Sequence, residues 1–372
     1  MQSLIRAILA LVAALVINGE AAACTIAVVA EKASKEGGVI LWKNRDSGYF
    51  RTCIRYFTTE KYAYTGVIRI KNPEAGVLCG ANEVGFGIVN AYSSNLPTSD
   101  KKGPSQRSPF MRDALINCRT VDEFEEFVRN YERGGAFRTN VGVGDATGAA
   151  AIFEIWGDGY RRYDVDKMEQ GYDVRSSCSF AGDMSKTERA LRRYKAVCEQ
   201  VSNKRKFSAE DWYNISRSYY AVGEGDILQN DNDYVDHTAA VVVRRATVGA
   251  FVVVCGKNPR MLVSMGYPAA CPAIPVWVEA KEAIPECLSS TGSHNLGRRF
   301  TKAAYFKPGK LSNGRPKYLL NKPIVREALK VQTKVTFPKR MPRNIEKFNL
   351  GLDKAFRLHE KAIDEILIRA GD

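Results

Sequence analysis

The sequence predicts an α+β fold of antiparallel strands, and three observations carry that reading. Short β-branched apolar runs come in pairs split by glycine-containing turns, capping-box starts mark helices between them, and an amphipathic stretch closes the 372-residue chain. That length is ample for one large core.

Residues 25–30 (Thr-Ile-Ala-Val-Val-Ala) and 39–42 (Val-Ile-Leu-Trp) flank a polar stretch ending in Gly37-Gly38, which predicts a hairpin. Pairing residue 31 near residue 38 puts position 24 opposite position 45. Residues 82–92 read as a turn and a strand; 141–144, 149–156 and 160–165 read as strands joined by turns at Gly148 and at Gly157-Asp158-Gly159. Helices are expected over 109–118, 121–133, 186–201 and 209–219, where Thr120 with Glu123 and Ser208 with Asp211 supply capping-box-like starts. Residues 238–244 and 250–255 read as an apolar hairpin, and 261–277, with Pro268, Pro272 and Pro275, as a loop. Beyond residue 278 come basic, proline-punctuated stretches and then an amphipathic helix near 344–370. Its stripe is Ile345, Phe348, Leu352, Phe356, Leu358, Ile363 and Ile366, and its expected role is docking onto the rest of the chain or onto a partner.

Residues 1–23 read as an export signal: Arg6 precedes an apolar run over 7–17, a polar break follows, and Ala21-Ala22-Ala23 stand just ahead of Cys24. The apolar run is short for a bilayer span, and no later window reaches the length a spanning helix needs. The expected organisation is a signal over 1–23, a catalytic region over 24–290 and a basic extension over 291–372 ending in the amphipathic helix. The expected location is periplasmic or extracellular.

Cleavage after Ala23 would make Cys24 the first residue. An α-amine titrates at about 7.7–8.0 and a thiol at about 8.5, so a terminal cysteine carries its own base. The lipoprotein pathway could instead place lipid on the same thiol, but Ala21 stands where lipoproteins usually carry leucine. The predicted hairpin returns Lys43-Asn44-Arg45-Asp46 to the side of Cys24, where a carboxylate can orient the amine and a cation can favour thiolate. Alternation does not say which of Lys43 and Arg45 points inward, and a solvated charge cluster is the plain alternative.

Cys-Thr at the expected mature start, followed about twenty residues on by a strand ending in Asn-x-Asp, resembles the N-terminal-nucleophile amide hydrolases that include choloylglycine (bile-salt) hydrolase and penicillin V acylase. Isopenicillin N acyltransferase and acid ceramidase are more distantly similar. Asn82-Glu83-Val84-Gly85-Phe86, Asp145-Ala146-Thr147-Gly148 and Gly182-Asp183-Met184-Ser185 extend the resemblance over roughly residues 24–277. It implies a four-layer α-β-β-α sandwich of two antiparallel sheets, followed by a C-terminal helical extension.

By the same resemblance Cys24 is the nucleophile and Asp46 its orienting carboxylate. Tyr92 stands at an oxyanion-hole position, with Asn90 as the nearest alternative. Arg189 is the carried-over catalytic arginine, although it begins a helix that also holds Arg192 and Arg193 and could form a basic solvated face. The family's catalytic asparagine is missing: Ser176 and Ser177 stand in its segment, with Asn140 as a substitute if the fold brings it close.

The implied activity is an exported cysteine-nucleophile amidase that cleaves a non-peptide linear C–N bond in a small N-acyl substrate of bile-salt, penicillin or N-acyl amino acid type, without a cofactor. An acyltransferase working through the same acyl-Cys24 is one alternative, and a lipid-anchored surface binding protein modified at Cys24 is another.

Composition sets the remaining bounds. His237, His294 and His359 are the three histidines, and no H-E-x-x-H or C-x-x-C spacing occurs, so neither a zinc site nor a Cys/His protease is expected. A net charge of +14 is spread along the whole chain without a nucleic-acid motif; it favours anionic substrates or envelope lipids over nucleic acid. The expected partner is a small-molecule N-acyl amide, with no integral membrane segment after processing; a homo-oligomer stays open. Eight cysteines besides Cys24 permit up to four disulfides. Asn214-Ile215-Ser216 is a sequon that matters in a eukaryotic host alone.

Overall fold

The computed structural model describes residues 24–49, 51–223, 225–226, 241–244, 246–289, 305–310, 316–320 and 322–369. The expected signal over 1–23 lies outside them, as do His237 and His294.

β1 (Thr25–Val29) and β2 (Ile40–Asp46) form the first hairpin, with Thr25 opposite Asn44, so that position 24 faces position 45 as the sequence predicts. Seven strands follow as an antiparallel meander, each paired to the next: β3 (Thr52–Phe57), β4 (Tyr64–Arg69), β5 (Val77–Asn82), β6 (Gly87–Tyr92), β7 (Arg138–Gly144), β8 (Ala150–Trp156) and β9 (Gly159–Asp164). The chain then returns in β10 (Tyr172–Arg175), which pairs with β1. The two-residue strands β11 (Tyr220–Ala221) and β12 (Gly225–Asp226) form a small ribbon. β13 (Thr247–Val254) inserts beside β2, and β14 (Arg260–Met265) and β15 (Ile274–Trp277) complete a six-stranded antiparallel sheet of order β10-β1-β2-β13-β14-β15. β16 (Tyr305–Lys310) and β17 (Pro316–Leu320) make a separate hairpin.

The two large sheets face each other, and alternation sorts their side chains. Ile26, Val28 and Leu41 point between the sheets with Val89, Ala91, Ile152, Phe251 and Val253. The sheets approach closely at β7, because a Cβ on Gly142 would lie 2.6 Å from Val28 and one on Gly144 2.4 Å from Val39. Ala27, Val29, Ile40 and Trp42 face outward onto Trp212 and Val197, from α4 (Ala209–Ser216) and α3 (Glu188–Val201). On the far side, Phe86, Ile88, Val141 and Phe153 meet Phe110, Leu115, Phe124 and Val128 of α1 (Arg107–Asn117) and α2 (Val121–Asn130). The architecture is therefore the four-layer α-β-β-α sandwich of two antiparallel sheets. Ser208 and Asp211 form the expected capping box on α4, while Thr120 Oγ1 accepts from the Glu123 N–H at α2.

Two expectations are corrected. The partner of the 250–255 run is β14 rather than 238–244: residues 241–244 carry no strand, and 227–240 lie outside the described residues. The expected loop over 261–277 contains β14 and β15, because Pro268 and Pro272 sit in the connection and Pro275 is tolerated in β15, an edge strand that needs no further N–H donor.

The tail packs onto the body. Ile324 and Ala328 of α5 (Lys322–Gln332) and Leu352, Phe356 and Ile363 of α6 (Ile345–Arg369) are buried, and all but Ala328 join the apolar cluster that holds β14 and β15. Leu358, placed in the stripe by sequence, points outward at 60% exposure, since it lies half a turn from Phe356.

Candidate active site

Cys24 precedes β1 on the face that Ile26 and Val28 fill with core, and it is buried at the end of the sandwich. Its Sγ donates toward the Asp46 carbonyl at 3.9 Å. Lys43 and Arg45 share the inward face of β2 with Leu41, because residues two apart on a strand point the same way. Trp42 and Asn44 face outward, Trp42 onto Trp212 and Asn44 Nδ2 onto the Val242 carbonyl at 2.7 Å. The open choice between Lys43 and Arg45 resolves as both: they line one cavity of about 510 Å³ together with Cys24, Asp46, Asn90 and Tyr92.

Each cation is held differently. The ladder between β5 and β6 stops at Cys79–Val89, and just beyond it the Lys43 ammonium donates to the Leu78 carbonyl and to Asn90 Oδ1, each at 2.7 Å. Burial pulls the Lys43 ammonium below its ordinary range, against the opposing influence of the Cys24 thiol. Arg45 donates to the Tyr49 carbonyl at 2.7 Å, and burial brings its guanidinium down to about 10, which still leaves a cation at neutral pH.

Asp46 ends β2 opposite Thr247, which donates to Oδ1 at 2.7 Å, while Arg244 pairs with Oδ2 at 3.0 Å. Burial pushes this carboxyl up, and Arg244, Arg193 and Thr247 work against that push. The cation and hydroxyl hold the carboxylate in one orientation. Neither Arg244 nor Thr247 belonged to the sequence motifs; the strand that pairs with β2 was the signal that would have found Thr247.

On the facing sheet Asn90 and Tyr92 line the cavity. Asn90 Nδ2 donates weakly to Thr139 Oγ1 at 3.3 Å, so much of its donor capacity is free. The Tyr92 hydroxyl accepts from Arg138 at 2.7 Å, and its ring carries Arg107 at 5.0 Å and Arg138 at 5.5 Å.

Ser176 and Ser177 are placed on the other flank. β10 pairs Arg175 with Ile26, and continuing that register sets Ser176 across from Thr25 and Ser177 across from Cys24. Neither serine lines the cavity; their hydroxyls accept from Arg193, at 3.2 Å for Ser176 and 2.7 Å for Ser177. Asn140 braces this segment by donating to the Ser176 and Cys178 carbonyls, so its amide is occupied.

The arginine carried over by resemblance does not line the cavity either. Arg189 is exposed on α3, and Arg193, one turn on, is the buried one. Burial brings Arg193 down to about 10, with Arg244 acting in the same sense and Asp46 against it. Helical periodicity held the signal: Arg193 falls between Ala190, Ala196 and Val197 on the inward face.

Among the described residues no His/Cys/Asp/Glu group could hold a metal ion, and no helix is long and apolar enough to cross a membrane. All nine cysteines carry free thiols.

No family model matches this chain, and no curated protein matches it in sequence. Solved structures similar to it include a variant of conjugated bile acid hydrolase from Clostridium perfringens, at 13% identity over 68% of this chain and 93% of that one with a TM-score of 0.41. Penicillin V acylase from Agrobacterium tumefaciens is similar at 14% identity over 68% and 86% with a TM-score of 0.40. Thermostable penicillin G acylase from Alcaligenes faecalis is similar at 12% over 52% and 51% with a TM-score of 0.37.

Proposed function

We propose that this chain is an exported amide hydrolase whose nucleophile is the Cys24 thiol, exposed to its own α-amine once residues 1–23 are removed. One observation carries the reading: a buried cysteine lines a small-molecule-sized cavity together with two cations, Lys43 and Arg45, and with Asp46, whose carboxylate Thr247 and Arg244 fix. The burial of Cys24 also argues against a lipid anchor there, since an acylated thiol would have to leave the sandwich.

In this mechanism the α-amine takes the thiol proton and the thiolate attacks the amide carbonyl. Arg45, opposite position 24 in the hairpin register, favours the thiolate. Asn90 Nδ2 and groups of Tyr92 receive the oxyanion charge, because they line the cavity whereas Ser176 and Ser177 do not. The ammonium then protonates the departing amine, leaving a thioester on Cys24, and water cleaves it to free acid and thiol.

The test compares protein starting at Cys24 with protein keeping one residue before it and with Cys24→Ser, on a panel of small N-acyl amides. Cleavage is expected from the first alone; equal rates from all three would end the proposal. Iodoacetamide should label Cys24 first, because burial pushes the thiols of the other eight cysteines above their ordinary value.

A further inference from the structure

Net charge is placed very unevenly in this chain. Lysine and arginine occur throughout, but residues 291–372 hold 19 of the 55 cations and 7 of the 41 acids, and so carry +12 of the total of +14. Charge gathered at one end points to an anionic partner for that end.

The tail also carries most of the bare apolar surface. Of the six large apolar side chains exposed among the described residues, Leu329 is on α5, and Leu350, Leu358 and Ile368 are on α6. Docking onto the body does not account for the last three: α6 meets the body through Leu352, Phe356 and Ile363, while these point away at 71%, 60% and 73% exposure. Leu350 and Ile368 are about five turns apart and in line, and Leu358 lies about a quarter turn from both. Lys347, Lys354 and Lys361 fall along the same stripe, are exposed, and make no ion pair among the described residues. Arg357 beside them pairs with Glu286 at 2.6 Å, and Glu346 and Glu365 are the exposed acids of the helix. A groove of about 330 Å³ next to the C-terminal half of α6 adds Arg326 and Lys330 of α5.

The mixture decides the partner. A nucleic acid or a soluble polyanion is held by cations and gains nothing from bare aliphatic side chains, and a second copy of the stripe would bring like charges together. An anionic bilayer uses both kinds of residue: aliphatic side chains enter the acyl boundary, while lysines lay their stems along it and keep the ammonium at the headgroups.

We infer that the outer stripe of α6 seats this protein on an anionic lipid surface, with Leu350, Leu358 and Ile368 entering the acyl boundary and Lys347, Lys354 and Lys361 meeting the headgroups. None of these residues lines the cavity at Cys24, so the inference stands apart from the amidase reading.

Co-sedimentation of protein starting at Cys24 with lipid vesicles tests it. Vesicles of phosphatidylglycerol and phosphatidylcholine in equal parts should bind the protein, vesicles of phosphatidylcholine alone should not, and salt should weaken the binding. Two triple variants separate the contributions: Lys347→Gln with Lys354→Gln and Lys361→Gln, and Leu350→Gln with Leu358→Gln and Ile368→Gln. All six side chains are exposed, so both variants should unfold in urea at the parent's midpoint. Each should lose affinity for the anionic vesicles by about tenfold or more. Absence of binding by the parent would overturn the inference. So would an apolar triple variant that binds as the parent does, which would leave a general polyanion site, and duplex DNA that competes equally well would identify it as one for nucleic acid. A parent dimer in gel filtration that the apolar variant breaks would assign the stripe to a second copy of the chain instead.

Discussion

Glu154 lies at the centre of a buried charge network that supports one flank of the site. In β8 its Oε1 accepts from Arg175 Nε at 2.6 Å and from the Phe180 N–H at 2.8 Å, and its Oε2 accepts from the Ala181 N–H at 2.7 Å. Glu154 and Arg175 are almost wholly buried, at 0% and 1% exposure. In Glu154→Gln the amide must turn an NH2 toward one of these donors whichever way it is flipped. Arg175 would keep Asp173 at 2.7 Å as its remaining carboxylate. Breaking one side of a buried ion pair costs about 3–5 kcal/mol, and a backbone N–H left without its acceptor accounts for about 1–3 of that. Total stability of a domain is about 5–15 kcal/mol, so the loss is a large share of it. Urea unfolding followed by tryptophan fluorescence reads the change directly. The double variant Glu154→Met with Arg175→Met should cost less than the two singles added, because it leaves no orphaned partner inside the pair. A Glu154→Gln midpoint within about 0.5 kcal/mol of the parent would show that this network does not hold the segment around Phe180 and Ala181 against β8.

Arg193→Gln, which strips the hydroxyls of Ser176 and Ser177 of a charged donor, should destabilise by about 1.5–3 kcal/mol, whereas exposed Arg189→Gln should stay within about 0.5 kcal/mol in urea unfolding; the reverse order would restore Arg189. Burial pulls the His359 imidazole below its ordinary value, while the Ala270 carbonyl and Glu327 pull it up. Unfolding then adds a proton, so the contribution of His359 is complete above about pH 6.5 and is lost as pH falls toward the depressed folded value, by up to about 1.4 kcal/mol per pH unit. Urea midpoints at pH 7.5 and 5.5 should therefore converge in His359→Gln, and an undiminished difference would place the acid sensitivity elsewhere. Arg45→Met should slow alkylation of Cys24 by iodoacetamide, because a cation opposite the thiol favours thiolate, while Lys43→Met should chiefly cost stability by leaving the Leu78 carbonyl and Asn90 without their donor. Equal alkylation rates in parent and Arg45→Met would remove Arg45 as the cation serving the thiol.

Local signals in the sequence reached the first hairpin down to its register, because Gly37-Gly38 and two β-branched runs leave little freedom in the pairing. They also reached the helix starts at Thr120 and Ser208. Proline misdirected the reading at 261–277, since a proline in an edge strand looks like one in a loop until the sheet order is known. The hydroxyl and guanidinium that fix Asp46 arrive from Thr247 and Arg244, about two hundred residues away, and no local pattern couples them to β2. Arg193 was legible in principle: a charged residue on the apolar face of a helix is the exception that periodicity exposes. Motif matching favoured Arg189 because it follows the Gly-Asp-x-Ser stretch directly.

The placement of charge explains why the site sits at the end of the sandwich. Inward positions of β1 and β2 are apolar from Ile26 and Val28 through Leu41, and they turn polar at Lys43 and Arg45, where the cavity begins. An ionised lysine or arginine deeper between the sheets would lose hydration with no acceptor to replace it. At the sheet end Lys43 finds a carbonyl and an amide oxygen where the β5–β6 ladder stops, and Arg45 finds the Tyr49 carbonyl. The same geometry makes the cysteine addressable. Position 24 lies between the end of β2 and the segment after β10, so a thiol there is supported on both flanks by strand register and open on one side to the cavity. A thiol two residues into β1, at Ile26, would lie in the closed core, out of reach of the cavity and its cations.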